Sequence, residues 1–210
     1  MNAIARDKPL VFVVDDSADV REGLKALFES VGLDCKVFDS PRAFLSSPPE
    51  NGPKCLILDV RLPEMSGLDL QTELARRSRK IPTIIITGYG DIPMTVRAMK
   101  AGAVSFLTKP VREQDLLDAV YAGIEEDRQR LNQESKGRDL RARYDRLTDR
   151  ERQIMPLITA GLLNKQIAAQ VGLSEVTVKV HRHKLMTKLN AKSLPDLVRM
   201  AAELGDKLRS

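Results

Sequence analysis

Residues 55–59, CLILD, decide the fold of the first half of the chain. Four apolar residues followed at once by an aspartate are typical of a strand that is buried on both faces and ends at a polar site. Comparable apolar runs occupy residues 10–14, 35–38, 55–58, 83–86 and 104–107. Amphipathic segments with helical period separate these runs. Five such strand–helix units predict a doubly wound, flavodoxin-like α/β domain with five parallel strands.

The second half has a different pattern, because residues 147–208 contain no strand-like run. Turn and cap signals there predict an all-α domain of four short helices. The expected helix caps are Thr148 or Asp149, Asn164, Ser174 and Ser193. The predicted organisation is therefore one domain at 8–124 and a second at 147–208. The charged segment 125–146 between them is expected to be a helical linker that breaks at Gly137.

The composition excludes several classes of protein. The chain of 210 residues is 42% hydrophobic and 30% charged, so it can bury a core and is not a disordered polymer. Its two cysteines, Cys35 and Cys55, are too few for a disulfide framework or a cysteine-rich zinc site. The apolar runs are too short for a secretory signal or for a membrane span of about 20 residues. We therefore expect a cytoplasmic protein without a membrane partner.

The charge of the chain is distributed unevenly between its two halves. Residues 1–121 carry 16 Lys and Arg against 17 Asp and Glu, whereas residues 122–210 carry 18 against 12. A near-neutral first half and a basic second half predict that only the second domain binds a polyanion.

The predicted strand ends carry residues that are suited to phosphoryl chemistry. Because the carboxyl ends of parallel strands share one edge of a sheet, Asp15, Asp16, Asp59, Thr87 and Lys109 are expected to converge there. Three neighbouring carboxylates repel one another unless a cation lies among them, and their oxygens suit Mg²⁺. Asp59 is then a candidate nucleophile that forms an aspartyl phosphate, with Lys109 as a contact for the phosphoryl oxygens. Each aspartate alone could instead be a turn residue or a helix cap.

Residues 174–189, SEVTVKVHRHKLMTKL, are predicted to form a basic helix. The residues expected to face the core are Val176, Val180, Leu185 and Leu189, and those expected to face outward are Lys179, Arg182, His183 and Lys188. A single charged helix face is more often only a solvated surface. Here a short helix and a tight turn, VGLS, come before it, which is the layout of a helix-turn-helix. A basic second helix of this kind fits the major groove of double-stranded DNA.

Residues 8–124 resemble the receiver domain of bacterial two-component response regulators. The resemblance rests on VFVVDDS, LILDVRLPEMSGLDL and ITGYGDIPMTVRAMKAGAVSFLTKP and on the spacing of these motifs. It implies that Asp59 is the phosphoacceptor. It also implies that Asp15 and Asp16 bind Mg²⁺ together with Asp59 and the backbone carbonyl of Arg61. Such a domain catalyses only its own phosphorylation and dephosphorylation, so the chain is not expected to be an enzyme in the usual sense.

The same resemblance implies a conformational switch. Lys109 matches the lysine that contacts the phosphoryl group, and its bond to Pro110 is usually cis in the family. Thr87 and Phe106 match the switch pair. After phosphorylation, the Thr87 hydroxyl is expected to bind the phosphoryl group, and Phe106 is expected to turn inward into the space that Thr87 leaves. This movement would reshape the face formed by the fourth helix, the fifth strand and the fifth helix.

Residues 147–202 resemble the LuxR-type helix-turn-helix domain, because LTDRE, GLLNKQIA and TVKVH occur in this order. The residues that the resemblance places at DNA are Lys179, Val180 and His183 at base edges and Arg182, Lys188, Asn164 and Lys165 at the phosphate backbone. One residue departs from the expected pattern. Pro156 falls inside the first predicted helix, so that helix either kinks there or is shorter than its apolar pattern indicates.

A receiver joined to this DNA-binding domain resembles the NarL/FixJ family of response regulators, and ITGYGDIPMTVRAMKAGAV is similar to its FixJ-like branch. The resemblance implies that a sensor histidine kinase phosphorylates Asp59 and thereby controls DNA binding and transcription, with activation expected as in most of that branch. A homodimer of the phosphorylated protein is expected, as is a contact with RNA polymerase. The dimer face is either the switch surface or the first and fifth helices.

Two other classes of protein remain as alternatives. A hydrolase of the haloacid-dehalogenase type also uses an aspartate nucleophile and Mg²⁺, but its signature needs an acid at the position of Arg61. A constitutive DNA-binding or scaffold protein with an inactive receiver would also contain both domains. Insensitivity of DNA binding to acetyl phosphate would favour that second alternative.

Overall fold

The computed structural model describes residues 8–88 and 90–207, and in these residues the chain forms five strands and nine helices. The strands are β1 (Leu10–Val14), β2 (Asp34–Phe38), β3 (Lys54–Asp59), β4 (Thr83–Thr87) and β5 (Ala103–Thr108). The helices between and after them are α1 (Ala18–Ser30), α2 (Pro41–Ser46), α3 (Gly67–Arg76), α4 (Ile92–Lys100) and α5 (Glu113–Asp145). The remaining helices are α6 (Asp149–Thr159), α7 (Asn164–Val171), α8 (Glu175–Leu189) and α9 (Leu194–Lys207). Leu208, the last residue of the predicted second domain, lies outside the described residues.

The strands form one parallel sheet in the order β2-β1-β3-β4-β5. The order reverses direction at β1, so the carboxyl ends of β1 and β3 lie side by side. In the register of the sheet, Val14 is paired with Leu58. Asp15 and Asp59, which come next, therefore reach the same edge. The predicted doubly wound α/β fold is confirmed.

Alternate residues along each strand enter two separate apolar cores, one on each face of the sheet. Phe12 of β1 and Leu58 of β3 belong to the core that α2, α3 and α4 cover. Val13 and Ile57 belong to the core that α1 and α5 cover. Continuous burial on both faces explains why the strands are uninterrupted apolar runs and do not alternate with polar residues.

Helix α5 is a single helix of 33 residues. The chain divides into two compact units between Asn132 and Gln133, which is inside the segment 125–146 that the sequence predicts as a linker. The expected break at Gly137 is wrong, because this glycine is buried within the helix. A glycine costs only about 1 kcal/mol relative to alanine in a helix interior, and the burial of Leu140 one turn later offsets that cost.

The second unit is helical throughout residues 133–207 apart from short turns, as the sequence predicts. Thr148 caps α6, and its Oγ1 accepts from the Glu151 N–H at 3.3 Å. Ser174 caps α8 in the same way, with its Oγ 3.1 Å from Thr177 N. The expected cap at Asn164 is wrong by one residue, since α7 begins at Asn164 and Leu163 occupies the cap position. There the Gln166 side chain accepts from the Leu163 N–H at 2.8 Å.

Pro156 lies inside α6 and does not shorten it. The helix runs from Asp149 to Thr159, and the carbonyl of Pro156 accepts a hydrogen bond from Ala160 N at 3.0 Å. Pro156 is exposed, whereas Ile154 and Ile158 on the same helix are buried. The core contacts of the helix therefore offset the loss of one backbone hydrogen bond at the proline.

Candidate functional sites

The carboxyl edge of the sheet brings together two acids and a lysine from three strands. Asp15 follows β1, Asp59 ends β3 and Lys109 follows β5. Lys109 Nζ lies 2.7 Å from Asp15 Oδ2 and 2.6 Å from Asp59 Oδ2. Burial of the Lys109 ammonium lowers its pKa, but hydrogen bonds to the two carboxylates outweigh this effect, so the pKa lies above its ordinary value. The lysine is therefore a cation that both carboxylates hold at this edge.

The three aspartates form a cluster that could hold a metal ion. One oxygen from each of Asp15, Asp16 and Asp59 lies within 4.8 Å of the other two. Asp15 and Asp59 are buried, whereas Asp16 is exposed to solvent. A hard divalent cation suits an all-oxygen cluster of this kind, because it compensates the repulsion between carboxylates that a single lysine cannot neutralise. The chemistry of these donors thus fits the expected Mg²⁺.

The loop after β3 holds the Asp59 carboxylate from its other side. Asp59 Oδ1 accepts a hydrogen bond from the backbone N–H of Arg61 at 3.1 Å, while the Arg61 side chain is exposed. The loop closes where Gly67 N donates to Val60 O at 2.9 Å. A Cβ atom on Gly67 would stand 2.2 Å from the backbone oxygen of Asp59. Only glycine permits this close approach between the start of α3 and the end of β3.

The two residues expected to form the switch lie on β4 and β5, the strands that follow β3 in the sheet order. Thr87 is fully buried at the end of β4, and its backbone oxygen accepts from Lys109 N at 2.8 Å. Phe106 is partly buried and packs against the core that α4 covers. The bond between Lys109 and Pro110 is cis, as the resemblance implies.

Gly90 is a residue of this region that the sequence analysis missed. A Cβ atom there would lie 2.9 Å from Cε1 of Phe106 and 2.9 Å from Cγ2 of Thr108. The absent side chain therefore leaves room for the present position of the Phe106 ring. No feature of the sequence around Gly90 distinguishes this role from that of an ordinary loop glycine.

In the second unit, α8 packs through a different face from the expected one. Val178, Leu185 and Leu189 are buried, whereas Val176 is 73% exposed and Val180 is 46% exposed. The expectation that Val176 and Val180 face the core is wrong. Residues two apart on a helix point roughly 200° apart, so burial of Val178 turns both neighbours outward. Apolar residues occur on opposite sides of α8, and the sequence pattern alone therefore could not fix which face is buried.

The outward face of α8 carries several residues expected at DNA. Lys179, Val180 and His183 are exposed on it. Arg182 lies beside the start of α7, with Nη1 3.4 Å from Oδ1 of Asn164. The structure thus brings together residues from both helices of the helix-turn-helix. Lys165, the next residue of α7, is exposed.

Lys188, which the sequence analysis expected at a DNA phosphate, also forms an ion pair within the protein. Its Nζ lies 2.7 Å from Oε2 of Glu151, which is almost completely buried. The same Glu151 oxygen accepts from Thr148 N at 2.8 Å. Burial raises the pKa of Glu151, but hydrogen bonds to Lys188 and Thr148 outweigh this effect, and the net pKa lies below its ordinary value. Lys188 therefore neutralises a buried carboxylate that caps α6.

The end of α5 is part of this unit. Arg143 Nη1 donates to the carbonyl of Leu189 at 3.2 Å, which places a cation at the carboxyl end of α8. Leu140 is buried in the core of the unit, and Tyr144 packs against that core. The sequence analysis missed these contacts because it treated 125–146 as a solvated linker.

No helix among residues 8–88 and 90–207 combines the length and the apolar character that a membrane crossing requires.

Comparison with known proteins agrees with the geometry of both units. Residues 11–121 match the response regulator receiver domain, and residues 145–201 match the luxR family of bacterial regulatory proteins. Nodulation protein W of Bradyrhizobium diazoefficiens is 52% identical over 96% of this chain and 88% of its own length. The transcriptional regulatory protein FixJ of Rhizobium meliloti is 42% identical over 93% of this chain and 96% of its own length.

A solved structure of the response regulator StyR is also similar. It shares 48% identity and a TM-score of 0.85 over 93% of this chain and 99% of that chain. The match spans the receiver domain, the DNA-binding domain and the segment between them. The chain is thus a two-component response regulator with a DNA-binding output domain, and it belongs to the NarL/FixJ family.

Proposed function

We propose that a sensor histidine kinase transfers a phosphoryl group to Asp59 and that this transfer controls DNA binding. The observation that carries the proposal is the position of the Asp59 carboxylate between Lys109 Nζ at 2.6 Å and Arg61 N at 3.1 Å, beside Asp15. In the reaction, the bond between phosphorus and the kinase histidine breaks as an Asp59 oxygen forms a bond to phosphorus. Lys109, which is already cationic, then donates to a phosphoryl oxygen.

Mg²⁺ is the proposed cofactor, held by Asp15, Asp16, Asp59 and the backbone carbonyl of Arg61. When bound, the ion would neutralise the carboxylates and the incoming phosphoryl oxygens. Asp15 would hold both the ion and Lys109, because its Oδ2 already accepts from Lys109 Nζ at 2.7 Å.

Thr87 and Phe106 are the proposed switch. The Thr87 hydroxyl would hydrogen-bond a phosphoryl oxygen, and Phe106 would turn inward toward the space that the hydroxyl leaves. Phe106 has no phenolic oxygen, so packing alone must stabilise its inward position. The change would alter the exposed face of α4 and β5.

The proposed DNA surface is the outward face of α8 together with the start of α7. Lys179, Val180 and His183 would contact base edges in the major groove. Arg182, Asn164 and Lys165 would contact phosphates. For Lys188 the ion pair with Glu151 supports a structural role in addition to the expected phosphate contact.

We also propose that the phosphorylated protein acts in the cytoplasm as a homodimer and activates transcription, with a contact to RNA polymerase. Two helix-turn-helix domains in a dimer can occupy half-sites one turn of DNA apart. The dimer would form through the switch surface or through α1 and α5. Phosphorylation could act by releasing the DNA-binding domain, by promoting the dimer, or by both.

The proposal is tested by measuring the mass in solution and the DNA affinity of the full chain, with and without beryllofluoride and Mg²⁺. Beryllofluoride mimics a phosphoryl group on an aspartate. The wild-type protein is expected to bind DNA more tightly or to form a dimer, whereas Asp59→Asn is expected not to respond. Asp34→Asn is a matched control, because Asp34 is exposed at the start of β2, far from the carboxyl edge. It should respond like wild type.

If the wild-type protein binds DNA equally well with and without beryllofluoride, the proposed switch is contradicted. This result would favour the constitutive DNA-binding protein with an inactive receiver. A response that persists in Asp59→Asn would instead assign the phosphoryl group to another residue.

A further inference from the structure

The outward face of α8 carries an apolar residue that none of the DNA contacts above includes. At about 100° per residue, Val176, Lys179, Val180 and His183 form one stripe on the side opposite Val178. Val176 stands at the amino-terminal end of this stripe. With 73% of its surface exposed, it is one of the most exposed large apolar residues in the described chain. Its burial in the core is excluded by the position of Val178.

Val176 is also held rigidly in place. It lies in the first turn of α8, where Ser174 Oγ accepts from Thr177 N at 3.1 Å and lies 2.8 Å from Thr177 Oγ1. The side chain of a valine in a helix is restricted almost entirely to one rotamer. Contact with a partner therefore costs Val176 little side-chain conformational entropy.

The neighbours of Val176 on the stripe indicate the chemistry of that partner. Lys179 lies one turn along, and the other exposed valine of α8, Val180, lies beside it. A rigid apolar group beside cations fits a surface that is anionic overall but presents isolated methyl groups. In the major groove of DNA, the C5-methyl group of thymine is such an apolar feature among the base edges. Residues at the amino-terminal end of a recognition helix are those that contact base edges.

We propose that Val176 contacts the C5-methyl group of a thymine and so sets sequence specificity at a base pair next to those that Val180 and Lys179 contact. This inference rests on the proposed function, in which the outward face of α8 enters the major groove. The step along the helix axis from Val176 to Val180 is about 6 Å, so the two valines reach different base pairs.

The experiment begins with selection of binding sites by the full chain, in the presence of beryllofluoride and Mg²⁺, from a pool of random DNA duplexes. In the selected duplex, each thymine is then replaced in turn by deoxyuridine, which removes only the C5-methyl group. At the position that Val176 contacts, the wild-type protein is expected to lose about fourfold in affinity, the factor for one buried methyl group. Val176→Ala should bind the thymine duplex with a similar loss and show no further loss with deoxyuridine at that position.

Two controls separate this effect from general loss of binding. Val198→Ala removes an exposed valine from α9, and it should respond to every deoxyuridine substitution like wild type. Val180→Ala should keep the wild-type loss at the thymine that Val176 contacts. Alanine is a strong helix former, so the helical circular dichroism of all three variants should match the wild type.

If Val176→Ala and the wild-type protein lose the same affinity at every thymine that is replaced by deoxyuridine, the inference is overturned. The proposed function would stay intact. Val176→Ala would also overturn the inference by binding every duplex as tightly as the wild-type protein does. Failure of the wild-type protein to select any sequence would overturn the proposed function and this inference with it.

Discussion

At the scale of single residues, the carboxyl edge of the sheet depends on a glycine as well as on its charged groups. The start of α3 passes very close to β3. A Cβ atom on Gly67 would stand 2.2 Å from the backbone carbonyl oxygen of Asp59 and 3.1 Å from Cγ of Leu58. The Asp59 oxygen belongs to the backbone of the sheet and cannot move aside as a flexible side chain would. Any larger residue at position 67 must therefore displace the loop that holds the Asp59 carboxylate.

We predict that Gly67→Ala lowers the free energy of unfolding of the receiver by at least about 2 kcal/mol, the cost typical of overpacking a rigid site. The displaced loop should also slow phosphorylation of Asp59 by acetyl phosphate. Urea unfolding and a phosphorylation assay measure the two effects. Gly23→Ala is the matched control, because a Cβ atom there has no neighbour within 4 Å and the residue lies in α1. The control should gain about 0.5–1 kcal/mol from its higher helix propensity.

A second prediction concerns the buried carboxylate of Glu151 and its dependence on pH. Since the pKa of Glu151 lies below its ordinary value in the folded protein, its ion pair with Lys188 stabilises the fold above about pH 4.3. This contribution is lost as the pH falls further through the folded pKa. The free energy of unfolding of a fragment of residues 133–210 should therefore fall as the pH drops below about 4.3, as measured by urea unfolding followed by circular dichroism.

Glu151→Gln cannot lose a charge at low pH but keeps an oxygen for the Thr148 N–H. Its free energy of unfolding should be lower than that of the wild type at neutral pH and should fall less steeply with acid. Parallel pH profiles for the two proteins would contradict the assignment of this ion pair.

At the scale of elements, α5 is attached to the start of the strand that ends in Asp59. Asp127 is fully buried on α5, and its Oδ2 accepts from the backbone N–H of Lys54 at 3.0 Å. Its other oxygen pairs with Arg130 at 2.6 Å. Lys54 is the first residue of β3. The helix beyond residue 124 is thus part of the receiver packing, through a polar contact that is 73 residues apart in sequence.

We predict that Asp127→Ala lowers the free energy of unfolding by about 1–3 kcal/mol, because it leaves the partly buried Lys54 N–H without its acceptor. Asp127→Asn keeps an acceptor oxygen and should cost less. Hydrogen exchange of the β3 amides in the full chain measures the effect where it arises. Glu126→Ala alters the exposed neighbouring acid and should leave this exchange unchanged. Equal exchange in Asp127→Ala and Glu126→Ala would show that the contact does not hold β3.

At the scale of the whole molecule, the boundary between the two compact units falls inside α5. The division at Asn132 assigns the last part of α5 to the DNA-binding unit. In that part, Leu140 is buried, Tyr144 packs against the core, and Arg143 donates to the end of α8. A DNA-binding fragment that starts at residue 147 therefore lacks part of its own core.

We predict that a fragment of residues 133–210 is more stable than a fragment of residues 147–210 by about 3 kcal/mol, the value for burying a large apolar side chain together with part of a second. Urea unfolding followed by circular dichroism compares the two fragments directly. Leu140→Ala in the longer fragment should remove most of the difference. Equal stabilities would instead support the shorter domain that the sequence predicts.

The sequence predicts much of the receiver because its topology is encoded locally. Each strand is an uninterrupted apolar run, and parallel strands bring their ends to one edge, so Asp15, Asp59 and Lys109 could be placed together without any knowledge of side-chain contacts. The helices of the second unit follow from caps and turns that lie within a few residues of one another. Thr148 and Ser174 are examples.

Tertiary structure alone decides features that depend on contacts between distant residues. Burial of Val178 in place of Val176 is set by packing of α8 against α6 and α7, because apolar residues on opposite sides of α8 leave its rotation undetermined. The same holds for the continuation of α5 through its buried glycine and for the pairing of Lys188 with Glu151. In each case the favourable energy comes from burial and charge pairing between segments, which no local pattern in the sequence records.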